Sequence, residues 1–283
     1  MYRSTRMLAF FCLAGVSLNA GAVEIDVGNR RVNVPLPDGY VELAPEMSPY
    51  YETMKAYIAP TNIRYLTLIT TSDAEAILRG EVGDLKRYMN IESEKGVIAT
   101  SVSSATYDEL RRVLRTQLDD LVAKANEQMP GIIEKGNAAV SEAFDTNIAV
   151  DLGGMVPLPI HLDSANTLAY SMYLTVGVST NGEKISNGVI AATVLALHVK
   201  DKVLFLYIYG PDTDIDWTRE FASIWAAEIV AANPLSVEEK LAVEQPRSRQ
   251  TNWDKVLKKA AVGALIGGVA GILGFLLRRR KKE

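Results

Sequence analysis

Apolar residues change period along this chain, and each change marks a new element. From 23 to 34 they alternate with polar residues on either side of Gly28-Asn29, which predicts a β-hairpin. Pro35-Leu36-Pro37-Asp38-Gly39-Tyr40 is turn chemistry, and Ser48-Pro49 opens a short helix toward Ile58. The β-branched and aromatic run 63–71 predicts a strand, 72–78 a helix capped by Ser72, and 87–93 another strand. Past Thr106 the spacing turns helical. Thr106-x-x-Glu109 is a capping box, and Leu110, Val113, Leu114, Leu118, Leu121, Val122 and Ala125 share one face up to Met129. Pro130-Gly131 predicts a break. Ile132, Ile133, Val140, Ala143 and Phe144 then form a second apolar face, which gives an αα-hairpin over 107–145. Such stripes either pack into a core or grip a partner protein, and core packing is the commoner fate.

Residues 148–209 return to strand composition. The runs 168–180, 189–199 and 202–209 are separated by Asn181-Gly182 and Lys200-Asp201. The middle run is apolar at successive positions, so it belongs at the centre of a sheet covered on both faces. Thr213-x-x-Asp216 opens a helix carrying Trp217, Phe221, Ile224, Trp225 and Ile229, which Asn233-Pro234 ends. The stretch 234–252 is polar and contains Pro, Ser and Gln, as a linker does. The fold class expected for 23–233 is α+β: an antiparallel sheet flanked by helices, with an inserted αα-hairpin.

Three of these features carry a resemblance. The opening Pro35-x-Pro37-Asp38-Gly39-Tyr40, the closing hairpin through Lys200-Asp201 and the final Trp-bearing helix resemble the PsbP-like α/β/α sandwich group. The likeness touches the two ends of 23–233, and the 107–145 helical hairpin would be an embellishment. The resemblance implies an adaptor or accessory subunit rather than an enzyme, and no functional residue carries over with it.

The two termini read as address labels. Arg3 and Arg6, an apolar stretch from Met7 to Leu18, and Ala20-Gly21-Ala22 have the layout of a secretory signal over 1–22. The apolar stretch is short for an uncleaved membrane span, and a transit peptide is the other alternative. At the far end, 260–277 is uncharged and mostly apolar and precedes Arg278-Arg279-Arg280-Lys281-Lys282. As a helix it would cover ~27 Å, close to the thickness of a bilayer's hydrocarbon. Trp253 suits the outer interface, and Lys258 and Lys259 can snorkel, so a transmembrane helix over 253–277 is expected, with a basic cytoplasmic tail at 278–283. The other reading of that run is a buried core helix. Gly263, Gly267 and Gly271 recur every four residues, a smooth stripe suited to helix packing and self-association, or simply the small-residue content common in membrane helices. The implied location is a bacterial-type inner membrane, with the ectodomain in the periplasm or outside.

Charge and composition sharpen this picture. Of 30 Lys and Arg, two lie in the signal and eight at or beyond Lys255, which leaves 20 in residues 23–252. Of 34 Asp and Glu, only Asp254 and Glu283 lie outside that range, which leaves 32, so the ectodomain carries a net charge near −12. Nucleic acid is not an expected partner, since phosphate binding needs a basic footprint. The only cysteine, Cys12, lies in the signal, so the mature chain is expected to have no disulfide and no thiol chemistry.

Candidate chemistry is sparse. His161-Leu162-Asp163 could offer two metal ligands from one strand face, but zinc usually takes three or four from the protein. His198 reads as a strand-end residue, and Asp119-Asp120 as a solvated helix face. Ile185-Ser186-Asn187-Gly188 lacks the leading glycine of a nucleophile elbow, and Gly153-Gly154 alone is a flexible turn. No cofactor is implied. The expected partners are the lipid bilayer, a protein and, through the glycine stripe, a second copy. The function expected is a membrane-anchored extracytoplasmic binding or accessory protein; the alternative is an extracytoplasmic hydrolase with acid/base carboxylates brought together by the fold.

Overall fold

A computed structural model describes residues 21–235, 239 and 253–267. Every strand pairing in it is antiparallel. The first hairpin joins β1 (Ala22–Val27) to β2 (Arg30–Pro35) through Gly28, whose φ of +63° is left-handed. A side chain there would also meet the Ile98 carbonyl at 2.3 Å, so only glycine fits. The main sheet contains β3 (Tyr40–Glu42), β4 (Asn62–Thr70), β5 (Tyr88–Glu94), β6 (Ile148–Pro157), β8 (Thr167–Thr180), β9 (Glu183–Val199) and β10 (Lys202–Pro211). Their spatial order is β3-β4-β5-β10-β9-β8-β6, and the short β7 (Leu162–Asp163) pairs with β8. As its unbroken apolar run requires, β9 lies inside the sheet between β8 and β10, with both faces of its second half covered.

The helices are α1 (Tyr50–Ala56), α2 (Thr71–Leu78), α3 (Lys95–Ile98), α4 (Ser104–Ala143), α5 (Ile215–Ala232) and α6 (Trp253–Gly267). They divide between the two sheet faces. One face packs Leu204, Leu206, Ile208, Leu195 and Leu197 against Trp225 and Ile229 of α5, with the β1–β2 hairpin beside them. The other packs Phe205, Tyr207, Tyr209, Val194 and Leu168 against α4, α1 and α6. The α+β class with an antiparallel sheet and flanking helices is therefore observed.

The αα-hairpin expected over 107–145 is not. A single helix, α4, runs from Ser104 to Ala143 and kinks at Gln117 rather than breaking at Pro130. The buried positions explain why. Leu121, Val122, Ala125, Met129, Ile132, Ile133, Gly136 and Val140 keep one helical phase straight through Pro130-Gly131. Pro130 itself lies on the exposed side, where water can take the hydrogen bond that its missing N–H leaves open. The helix also begins before the expected capping box: the Ser103 hydroxyl accepts from the Thr106 amide at 3.2 Å, while Glu109 binds Arg112.

Among the described residues, no helix is long and apolar enough to cross a membrane. The first part of the expected span forms α6, whose Ala260, Ala261 and Leu265 are buried in the core shared with α4. Residues 1–20 of the expected signal, most of the 234–252 linker, 268–277 of the expected span and the 278–283 tail lie outside the described residues.

Candidate functional site

Polar residues cross the α4 face of the sheet in register. On β5 the side chains of Asn90, Glu92 and Glu94 alternate with Met89 and Ile91, which face α5. Register pairs Arg64 of β4 with Glu92, Thr67 with Asn90 and Asn62 with Glu94, and on the far side of β5 it pairs Tyr207 of β10 with Asn90. Alternation of this kind normally puts the polar half in water; here α6 and its neighbours cover it, and Glu92 is completely buried.

This seam is tied together and tied to α6. Arg64 Nε donates to Glu92 Oε1 at 3.4 Å, and Thr67 Oγ1 donates to Asn90 at 2.8 Å. Asn62 Nδ2 donates both to Glu92 Oε2 at 2.9 Å and to the carbonyl of Gly263 at 3.0 Å. Gly263 is needed for that approach, since a Cβ there would lie 2.8 Å from Asn62 Oδ1 and 3.3 Å from Glu94 Cγ. Burial raises the pKa of Glu92 above the ordinary carboxylate range, with Arg64 and Asn62 opposing the shift. Burial also raises Glu94, against the Gly96 amide and the Lys259 charge. Arg64 Nη2, Asn90 Nδ2 and the hydroxyls of Tyr207 and Tyr170 have no hydrogen-bond partner among the described residues. The seam can therefore hold a helix backbone through Asn62 and still has hydrogen-bonding capacity to spare.

The residues singled out in the sequence do not converge. Gly263 sits on this seam, Gly267 is the last residue of α6, and Gly271 lies outside the described residues. Asp163 is held by Arg111 at 3.2 Å and Arg115 at 2.9 Å, while His161 is exposed, its pKa lowered by partial desolvation and by Arg219. His198 lines a cleft of about 450 Å³ with Lys200 and Asp201. Its Nε2 bonds to the Val102 carbonyl at 2.8 Å, and its ring stacks on Tyr107 at 4.9 Å. Asp201 is buried at a φ of +60° and joins Arg30 (2.7 Å) and Ser101, pinning the β9–β10 turn to the first hairpin. Among the described residues, no three His, Cys, Asp or Glu side chains are grouped to hold a metal.

Asn62, Arg64, Glu92 and Glu94 escaped the sequence reading because an alternating strand with acids on one side looks half-solvated. The one available signal was their count: Asn90, Glu92 and Glu94 fall in a single short strand beside a chain rich in apolar helices.

No family model and no curated protein matches the chain. Among solved structures, cyanobacterial PsbP (CyanoP) from Synechocystis sp. PCC 6803 matches at 7% identity over 78% of this chain and 96% of its own, with a TM-score of 0.25. It is a member of the group that the sequence resembles. At that score the likeness carries no argument about the site.

Proposed function

We propose that this chain is a binding or accessory module held at a membrane, exported by 1–22 and tethered by 253–277, with 278–283 on the cytoplasmic side. The observation that carries the reading is the engagement of its buried carboxylates. Glu92 is bound by Arg64 and Asn62, and Asp201 by Arg30 and Ser101. Asp73 accepts from the amides of Asp84 (2.7 Å) and Leu85 (3.2 Å). Each joins segments distant in sequence, which is the work of a scaffold that presents surfaces. The hydrolase reading needs two carboxylates converging on one bound substrate.

The tether then has two states. While 260–267 is docked, the apolar run left for a bilayer is 268–277, about 15 Å of helix against ~30 Å of hydrocarbon. Spanning therefore requires α6 to leave the seam. Undocked, Gly263, Gly267 and Gly271 offer their stripe to a second copy, while Asn62 and Glu94 open to water or to a partner. Reporter fusions test the topology. An enzyme active only outside the cytoplasm should work when fused after Asn252 and fail when fused after Glu283; the reverse pattern overturns the proposal.

A further inference from the structure

The sheet ends on β6, and only part of that edge is covered. At its first half, α4 supplies side chains in place of a neighbouring strand. Ser141 Oγ donates to the Ile148 carbonyl and accepts from the Ile148 amide, both at 3.0 Å. Asn137 does the same for Val150, its Oδ1 accepting from the amide at 2.9 Å and its Nδ2 donating to the carbonyl at 3.0 Å. By the alternation of an antiparallel ladder, Leu152 is the next residue to turn its N–H and C=O outward. The bulge at Gly153 follows, and Pro157 and Pro159, which have no N–H to offer, close the far end. The window 152–156 lies between a helix-capped half and a proline-blocked half, with no hydrogen bond to its outer edge among the described residues.

A groove of about 540 Å³ lies between 151–154 of β6, at the start of this window, and the second half of α4. Met129, Ile133 and Leu152 provide apolar wall, and exposed Glu134 and Asp151 provide acid. Pro130, also in the groove, has no N–H for the Asn126 carbonyl, so that oxygen is a further acceptor. No lysine or arginine lines the groove among the described residues. We propose that 152–156 of β6 takes an extended peptide from a partner protein as an added strand, with apolar side chains over Met129 and Ile133 on the α4 face and cationic ones on the other face, toward Asp151, while Glu134 adds negative charge at the groove rim. Main-chain pairing supplies affinity, and the two acids flanking the edge select a lysine-bearing strand over an acidic one.

The test uses the full-length protein in detergent micelles and a seven-residue peptide alternating valine and lysine. Hydrogen exchange should slow across 152–156 when the peptide is added. N-methylation of alternate peptide amides, which removes the pairing donors, should weaken binding at least about tenfold. The exposed double variant Glu134→Lys, Asp151→Lys should lose the valine–lysine peptide and gain its valine–glutamate counterpart. Equal binding of the N-methylated peptide would reduce the contact to charge attraction and overturn the proposal. So would protection elsewhere on the protein, absence of binding at millimolar peptide, or a concentration-dependent dimer that protects 152–156 without peptide.

Discussion

The two faces of the main sheet are built from the same strands, yet they treat polar groups differently. Toward α5, the few polar side chains form a closed chain: Ser171 to Thr193 at 2.9 Å, Thr193 to Thr218 at 2.8 Å, and Thr218 to the Ile215 carbonyl at 2.8 Å. Trp225, deep in that face, spends its indole N–H on the Pro35 carbonyl at 2.9 Å. Toward α4 and α6, four buried side chains keep atoms unpartnered among the described residues, and a carboxylate–guanidinium pair sits at the contact with α6. A buried polar atom without a partner costs on the order of 1–3 kcal/mol. Most of these unpartnered atoms lie on the face whose cover includes the C-terminal helix; on the α5 face the Tyr65 hydroxyl carries the same cost among the described residues.

The largest expected effect tests how firmly the α5 face is packed. Trp225→Ala opens a cavity in the α5 face and strands the Pro35 carbonyl, so urea unfolding should report a loss of about 3–5 kcal/mol. A loss under about 1 kcal/mol would mean that this face is loosely packed and the comparison fails.

Next comes pH. The folded chain holds the Glu92 proton above the usual value of 4.5, whereas the unfolded chain releases it near that value. Between the two, the folded state binds the extra proton, so stability falls as pH rises through that window, by about 1.4 kcal/mol per pH unit for one proton. Glu94 adds a contribution of the same sign. Glu92→Gln should remove its share of the slope in urea midpoints measured from pH 4.5 upward. An unchanged slope would leave Glu92 without a part in it.

The smallest effect is the sharpest contrast. Thr193→Val breaks the satisfied chain on the α5 face and should cost about 1–2 kcal/mol. Tyr207→Phe removes a hydroxyl that has no partner on the other face and should be neutral within about 0.5 kcal/mol. Equal costs for the two variants would erase the distinction between the faces.

Much of the scaffold was legible in advance because it follows from local period. The strands at 168–180, 189–199 and 202–209 lie within β8, β9 and β10, and the Trp-bearing helix is α5. Pro130-Gly131 does not end the helix because Pro130 lies on the exposed side of α4, a placement that local sequence does not reveal. Glu92 and its neighbours were illegible for a related reason. Alternation says that two faces differ, but which face is buried depends on what arrives from elsewhere in the chain.

By itself, the sequence determined the periods, the acidic charge and an antiparallel α+β scaffold, since each depends on residues close together along the chain. Only the tertiary structure decided that α4 continues through Pro130, that Asn137 and Ser141 cap half of β6 and leave 152–156 open, and that Gly263 meets Asn62. It also decided where 260–267 goes. The hydrophobic effect is non-directional, so an apolar helix can pack on any apolar surface, and the Asn62 contact on β4 helps fix where this one sits.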